Sequence, residues 1–246
     1  IHLVNPINNN VNLGPKNSFF ELLQETTADY YFFCDQDDYW DKTKIKKMID
    51  VLKCINEPCL VYCGIECVDH NLNPYNHPFE ESVGSMDGKS FIDRGICNDM
   101  PGCTMAFNKK VYNLFIRTTL THSIRMHDWW ITLIASAFGK VIFLPDKLVK
   151  YRLHSNNTIG AGEKKAMIKK LTSFKRLKER IAFINLTVNQ QQTFLLQYKQ
   201  LLKGKDKNYL TAISNPKKNK FLISRANTIF KYRPKSCNKF RTFVYY

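Results

Sequence analysis

The sequence predicts an α/β protein in which helices flank a mostly parallel sheet, followed by a basic helical region. Strand-like and helical patterns alternate through the first 150 residues, which is typical of a parallel sheet covered by helices. Hydrophobic residues make up 44% of the 246 residues, enough for a sizeable core. Residues 1–150 carry 15 basic and 18 acidic side chains, whereas residues 151–246 carry 22 and 3. The two parts are therefore expected to have different roles.

The first 55 residues carry the patterns of two strands and two helices. IHLVNP is a candidate short strand, and NNNVNLGPKN is a polar loop with glycine and proline. SFFELLQETT predicts a helix that Ser18 caps. ADYYFFC is apolar and aromatic throughout, as in a central strand covered on both faces. DKTKIKKMIDVLKCI predicts a helix whose apolar face consists of Ile45, Met48, Ile49 and Leu52.

The middle of the chain continues the alternation. CLVYCGIECVD and CTMAFN predict β-structure, and HNLNPYNHP between them predicts a loop. KKVYNLFI and HDWWITLIASAFG predict helices, the second of which ends at Gly139. KVIFLPDKLVKYRLH predicts two short extended pieces. The longest apolar run, WWITLIASAF, is too short to span a bilayer.

Basic helical patterns begin after Gly162. KKAMIKKLTSFKRLKERIAFINL places apolar residues at helical spacing among Lys and Arg, and further helical stretches lie around 188–203 and 217–231. We therefore predict a first domain over residues 1–160 and a basic region over residues 161–246. Basic amphipathic helices favour anionic lipid, so the region is expected to bind a membrane surface. A basic cap packed on the first domain is the alternative. Nucleic-acid binding is disfavoured because no recognition motif accompanies the charge.

Eight cysteines are scattered along the chain, and three of them are spaced four residues apart at Cys59, Cys63 and Cys67. That spacing matches no common zinc pattern, which requires C-x2-C or Cys/His sets. These three cysteines are therefore expected to be free, reduced and buried thiols. A reducing cytoplasm is the compartment that this expectation favours.

Three carboxylates, Asp35, Asp37 and Asp38, directly follow the aromatic strand ADYYFFC. In open α/β sheets, ligands bind outside the carboxyl ends of the strands. Neighbouring carboxylates repel one another unless a cation lies among them, and hard oxygen ligands suit Mg2+ or Mn2+ bridging to phosphates. The alternative is that Asp38 or Asp41 caps the next helix. Capping would explain one or two of these acids but not three.

DYYFFCDQDDYW resembles the D-x-D signature of family 2 glycosyltransferases with the GT-A fold, and especially the bacterial rhamnosyltransferase-like subgroup. Four further segments resemble the family in the same order and extend the resemblance over about residues 12–160: NLGPKNSFFELL, PGCTMAFNKKV, MHDWWITLIASAFGKVIFL and LVKYRLHSNNTIG. The family's opening strand, P-x-Y-N turn and D-D-G-S segment have no counterpart. We therefore expect a GT-A-like sheet whose first βα units are missing.

The resemblance implies roles for individual residues. Asp37 and Asp35 would ligate Mg2+ or Mn2+, and Asp128 would be the general base that deprotonates the acceptor. A helix cap is the alternative role for Asp128. The residues implied on the donor side are Gly14, Asn17, Asp35, Asp38 and His154. The residues implied on the acceptor side are Gly102 and Trp129, of which Trp129 could stack on a sugar ring.

The function that the resemblance implies is metal-dependent, inverting transfer of a hexose. The donor would be a dTDP- or UDP-sugar, with rhamnose as the sugar that the subgroup suggests. The acceptor would be a saccharide or lipid-linked precursor of a cell-surface polysaccharide, at the inner face of the bacterial cytoplasmic membrane. The alternative is an inactive remnant whose basic helices bind a membrane or a partner protein.

Overall fold

The computed structural model describes residues 11–153, 174–214 and 221–235. Within them, the strands are β1 (Tyr30–Phe32), β2 (Tyr39–Trp40), β3 (Cys59–Val68), β4 (Met105–Asn108) and β5 (Lys140–Arg152). The helices are α1 (Gly14–Gln24), α2 (Lys44–Lys53), α3 (Pro78–Ser82), α4 (Phe91–Arg94), α5 (Lys109–Phe115), α6 (His127–Phe138), α7 (Phe174–Tyr198), α8 (Gly204–Ser214) and α9 (Phe221–Tyr232). A 3-10 turn, Gly102–Thr104, precedes β4. The candidate strand IHLVNP and the predicted domain boundary lie outside the described residues.

The five strands form one mixed sheet in the order β1-β4-β3-β5-β2. Strands β3 and β5 pair in parallel, whereas the β1–β4, β3–β4 and β2–β5 pairings are antiparallel. The predicted α/β class with flanking helices is confirmed, but the prediction of a mostly parallel sheet is wrong for the described strands. A parallel pairing needs a crossover back to the same end of the sheet. The connection over residues 69–104 instead makes β4 run against β3.

Strand β1 lies at one end of the described sheet, not at its centre as its composition predicted. Tyr31 is buried because its ring stacks on Phe107 of β4 and on Tyr112 of α5, at 5.2 and 4.5 Å between centroids. Phe33, just beyond the strand, is also buried. The aromatic residues of β1 therefore indicated correctly that the strand is buried, but they did not indicate where it lies in the sheet.

Strand β5 is continuous, although its sequence predicted two short pieces. The register between β3 and β5 shifts on both sides of Gly64, so that Pro145 and Asp146 on one side and Leu148 on the other have no partner on β3. A Cβ on residue 64 would lie 3.0 Å from the Pro145 carbonyl oxygen. Glycine at this position therefore lets the strand accommodate a bulge without breaking.

Two predicted helix details are wrong. Helix α1 begins at Gly14, and Ser18 lies inside it with its hydroxyl donating to the Gly14 carbonyl at 3.0 Å, so Ser18 is not the cap. The proline after Gly14 is a helix-starting signal that the prediction did not use. In α2, Ile45 is 50% exposed and Lys44 is fully buried instead. The buried face of α2 follows the four-residue spacing of Lys44, Met48 and Leu52.

Helices α7 and α8 share their core with the α/β part of the chain. Phe194 and Tyr198 of α7 pack against Trp130 of α6, at 5.3 and 6.3 Å between ring centroids. The Gln191 side chain of α7 donates to the Gly95 carbonyl at 2.8 Å. The Tyr198 hydroxyl donates to the Leu114 carbonyl at 3.0 Å. Helix α7 therefore packs on the part of the chain described over residues 11–153, and the domain division stays a prediction.

The cysteines at positions 59, 63 and 67 are free and buried on one face of β3, as predicted. Cys97 differs from them because it is disulfide-bonded. None of the helices described combines the length and the apolar character that a membrane-spanning segment needs.

Candidate active site

One cavity of about 990 Å³ opens between the start of α1, the turn after β1, the segment before β4 and the start of α6. The structure brings most of the predicted site residues to its wall, namely Gly14, Asp35, Asp37, Gly102, Asp128 and Trp129. Asn17 and Asp38 are not among the lining residues. The Asn17 amide instead donates to the Leu13 carbonyl at 3.0 Å and so braces the first turn of α1. His154 lies outside the described residues.

The turn that follows β1 concentrates negative charge at the cavity. Burial, together with the neighbouring charges of Asp38 and Asp37, raises the pKa of Asp35 to about 6. Burial also raises the pKa of Asp38. One oxygen of Asp38 accepts from the Arg152 backbone N–H at 3.2 Å, and the other is buried with no partner among the described residues.

Strand β5 holds this turn in place through Arg152. The Arg152 Nε donates to the Asp37 carbonyl at 2.9 Å, and its Nη1 donates to the His70 carbonyl at 2.6 Å. These bonds fix the backbone of the turn between β1 and β2 against the end of β5. The carboxylates of Asp35 and Asp37 thereby stay on the cavity wall.

The acidic turn fits a divalent cation. Ligand atoms of Asp35, Asp38 and Cys103 lie within 4.8 Å of one another, and the predicted ligand Asp37 does not belong to this group, so its role stays a prediction. Burial raises the pKa of the Cys103 thiol well above its usual range, so this group stays protonated beside Asp38. The groups available to a hard cation at the cavity are therefore carboxylate oxygens, as Mg2+ and Mn2+ prefer. A cation there would relieve the mutual repulsion that raises the pKa of Asp35.

Lys44 is a charged residue beneath the acidic turn that the sequence prediction missed. Its Nζ donates to the Cys103 carbonyl at 2.5 Å and lies 3.3 Å from the centroid of the Trp40 ring. Burial lowers the pKa of Lys44 to about 8, and its positive charge in turn lowers the pKa of Asp35. This ammonium group ties the start of α2 to the 3-10 turn. The spacing of Lys44 with Met48 and Leu52 was the signal that could have found it.

Asp128 lies in the first turn of α6 and is only 6% exposed. Its pKa is raised to about 7, mainly by burial and also by the charge of Asp35, while a bond from the Trp129 backbone N–H acts in the opposite direction. That N–H donates to the carboxylate at 2.5 Å. Met126 occupies the N-cap position, so Asp128 is not the N-cap residue, although its carboxylate pairs with an N–H of the first helical turn. A carboxylate with a pKa near neutrality is suited to act as a general base.

The two adjacent tryptophans have different environments. The Trp129 side chain lines the cavity, and its Nε1 donates to the Arg94 carbonyl at 2.7 Å. Trp130 is fully buried in the core. The Arg125 guanidinium lies 5.1 Å from the Trp129 ring and 4.2 Å from the ring of Phe183 on α7. Helix α7 therefore contributes Phe183 to the cavity wall, which the sequence did not predict.

Two glycines shape the cavity. Gly14 has a φ of +70°, a backbone conformation that favours glycine, and it begins α1 at the cavity wall. A Cβ on residue 102 would lie 3.0 Å from the Nε2 of His127. His127 also lines the cavity and was missed by the sequence prediction. Its position immediately before Asp128 was the available signal.

Comparison with known proteins finds one matching family and one similar curated protein. Residues 1–115 match the family Glycosyl transferase family 2. The dTDP-rhamnosyl transferase RfbG of Shigella flexneri is 28% identical over 158 residues, which cover 60% of this chain and 52% of the relative. The chain thus aligns with about half of that relative's length. The family match contains the acidic turn and Gly102, and Asp128 lies beyond it.

Proposed function

We propose that this chain, a rhamnosyltransferase-like member of glycosyl transferase family 2, transfers a sugar from a nucleotide-sugar donor to a saccharide acceptor. One observation carries the proposal. A single cavity is bordered by an acidic turn that suits a metal-bound diphosphate and by a buried carboxylate with a pKa of about 7. Transfer needs both a site for the leaving group and a base for the acceptor, and the cavity offers candidates for each.

The donor side of this proposal rests on the turn after β1. Asp35 and Asp37 would hold Mg2+ or Mn2+, and a bound cation would stabilise the negative charge on the departing diphosphate. Gly14 and the start of α1 would approach the nucleotide. The name of the similar Shigella flexneri protein includes dTDP-rhamnosyl. We therefore propose a dTDP-linked rhamnose as the donor, with a UDP-sugar as the alternative.

On the acceptor side, Asp128 would accept the proton of an acceptor hydroxyl. The oxygen so released attacks the anomeric carbon of the donor sugar, and the bond from that carbon to the diphosphate oxygen breaks. The bonding electrons leave with the nucleoside diphosphate. Displacement in one step from the opposite face inverts the anomeric configuration. Gly102 and Trp129 border the space beside Asp128 and would contact the acceptor.

We propose further that the protein works at an anionic membrane surface, where a lipid-linked acceptor would be found. Residues 151–246 carry 22 basic and 3 acidic side chains. Among the described residues there, large apolar side chains are exposed at Ile181, Leu186, Leu196 and Phe230. Basic residues interspersed with exposed apolar ones are the pattern of an interfacial surface. The inner face of the bacterial cytoplasmic membrane is the proposed location.

A transfer assay tests the proposed function. The full chain would be incubated with Mn2+, a panel of dTDP- and UDP-sugars and a set of p-nitrophenyl glycosides as acceptors. We expect one donor to give a glycosylated product whose new linkage is inverted by NMR. Release of nucleoside diphosphate without any glycosylated product would argue against a transferase. A product that retains the anomeric configuration would contradict the direct role of Asp128.

A further inference from the structure

His127 is a buried imidazole at the cavity that the proposed mechanism does not use. It is 4% exposed and lies between two aromatic side chains. Its ring stacks on Phe19 of α1 at 4.1 Å between centroids and meets the edge of Phe33 at 4.7 Å. Within the described part of the chain, neither ring nitrogen has a hydrogen-bond partner. Burial lowers the pKa of His127 to about 3, so the ring is neutral at physiological pH.

Packing alone does not explain a histidine at this position. Buried polar atoms in folded proteins are nearly always hydrogen-bonded, and an unpaired one reduces stability. A phenylalanine would fill the same space between Phe19 and Phe33 without that cost. Because His127 lines the cavity, a bound molecule can supply the partner that the fold does not. A binding site recognises a substrate hydroxyl through buried polar groups that are paired only when the substrate is bound.

The surroundings of the imidazole indicate where the partner lies. A Cβ at Gly102 would lie 3.0 Å from the His127 Nε2 and 3.7 Å from the Cβ of Asp128. Glycine at position 102 therefore keeps side-chain atoms away from both His127 and Asp128, whereas any larger residue would press on the imidazole. A group bound to Nε2 would lie beside Asp128. A neutral imidazole adds no positive charge, so this position suits a sugar hydroxyl better than a diphosphate.

We propose that His127 binds a hydroxyl group of a saccharide held beside Asp128, through one hydrogen bond at Nε2. This inference rests on the proposed function, since it assumes that the cavity binds a sugar. The hydroxyl belongs either to the sugar being transferred or to the acceptor. In both cases His127 is a substrate-binding residue that fixes the orientation of the ring at the reacting carbon or oxygen.

The first part of the test requires no ligand. His127→Phe keeps the ring packing and removes both nitrogens, so thermal unfolding of the full chain should show an unchanged melting temperature or a rise of about 2–4 °C. His127→Gln keeps a hydrogen-bonding group and is the conservative comparison. A fall of more than about 4 °C in His127→Phe would mean that the nitrogens bind within the protein, and it would overturn the inference.

The second part measures binding and turnover with defined probes. Wild type and His127→Phe would be titrated with dTDP and with dTDP-rhamnose in Mn2+, and assayed with p-nitrophenyl glycosides. We expect equal affinity for dTDP. A hydroxyl of the transferred sugar predicts about tenfold weaker binding of dTDP-rhamnose, and a hydroxyl of the acceptor predicts about a tenfold higher KM for the acceptor. His127→Gln should recover part of the loss.

Gly102→Ala is the matched variant that leaves the imidazole in place. Its added Cβ would lie against Nε2, so it should reproduce the loss seen in His127→Phe. Unchanged affinity for the donor sugar and unchanged KM for the acceptor in His127→Phe would overturn the inference. Failure of the wild type to bind any nucleotide sugar would count against the proposed function, and the melting temperatures would still decide whether the imidazole has a partner in the protein.

Discussion

At the scale of single residues, burial sets the acid–base properties around the cavity. It raises the pKa of Asp128 to about 7 and that of Asp35 to about 6, and it lowers that of Lys44 to about 8. The motifs drew attention to Asp35 and Asp128, and the structure places both on the cavity wall. Lys44 and His127 were missed, because a lysine among lysines resembles a solvated helix face and a single histidine carries no spacing pattern.

Asp128→Asn should change how stability depends on pH. The folded pKa of Asp128, about 7, is above its ordinary value of 3.8, so the folded state binds this proton more tightly than the unfolded chain does. Wild type therefore loses stability as pH rises from about 4 to about 7, and the asparagine variant lacks this loss. Urea unfolding should show a stability advantage of the variant that grows over this range and then levels off.

The control for this prediction is Asp146→Asn on the surface, where bonding to Lys47 lowers the pKa of the carboxyl. That variant should show no growing advantage between pH 4 and 7. Transfer by Asp128→Asn should fall by about 10²–10⁴-fold, as expected for loss of a general base. An advantage over wild type that stays constant with pH would contradict the raised pKa of Asp128.

Lys44→Met should destabilise the fold, although the new side chain is apolar and of similar length. The substitution leaves the Cys103 carbonyl without its donor and removes the cation beneath the acidic turn. We expect the free energy of unfolding to fall by about 1–3 kcal/mol. Lys46→Met, on the exposed face of the same helix, should change it by less than about 0.5 kcal/mol. Equal effects of the two substitutions in urea denaturation would contradict the role of Lys44.

At the scale of elements, the sequence located most helices and strands but not their arrangement. The strand pattern of β3 and the helix pattern of α6 were clear, because burial imposes apolar residues along their whole lengths. The direction of the strands was not clear from the sequence, because it depends on how the long connection from β3 to β4 returns to the sheet. Composition could not decide whether a basic helix binds a membrane or packs on the first domain, since both settings favour the same residues. The structure shows that α7 packs on α6, and membrane binding stays a prediction.

The packing of α7 predicts that it unfolds together with the α/β part. Phe194 is fully buried against Trp130 and Phe138, so Phe194→Ala should lower the free energy of unfolding by about 3–5 kcal/mol. Leu196→Ala on the same helix removes a side chain that is 77% exposed and should have little effect. Circular dichroism and tryptophan fluorescence should report a single transition in wild type. A separate low-temperature transition for the helices would contradict this packing.

At the scale of the whole molecule, the uneven distribution of charge along the chain is the feature that can be read most directly from the sequence. The acidic turn belongs to the part with 18 acidic side chains, and the 22 basic ones of residues 151–246 form a distinct part of the chain. A negatively charged substrate and a negatively charged surface would thus meet different parts of the protein. The sequence composition predicts this division of charge, whereas only the structure shows that α7 contributes to the cavity wall.

Vesicle binding tests the proposed membrane surface. The full chain should sediment with vesicles that contain anionic phosphatidylglycerol and remain in solution with purely zwitterionic phosphatidylcholine vesicles. Binding should weaken as salt rises, because the attraction between exposed charges is screened. Replacement of the exposed Leu196 and Phe230 by Ser should reduce the bound fraction without lowering the melting temperature. Equal sedimentation with both kinds of vesicle would contradict an electrostatic membrane surface.

The most direct test of the account is isothermal titration of dTDP-rhamnose into the full chain with Mn2+, for wild type, Asp37→Asn and Asp128→Asn. The proposed leaving-group site is the acidic turn, and the proposed base, Asp128, lies on α6. Asp37→Asn should lose Mn2+-dependent binding, while Asp128→Asn should bind the donor as wild type does but transfer sugar about 10²–10⁴-fold more slowly in a parallel assay. Equal loss of binding in both variants, or full transfer by Asp128→Asn, would contradict this division of roles.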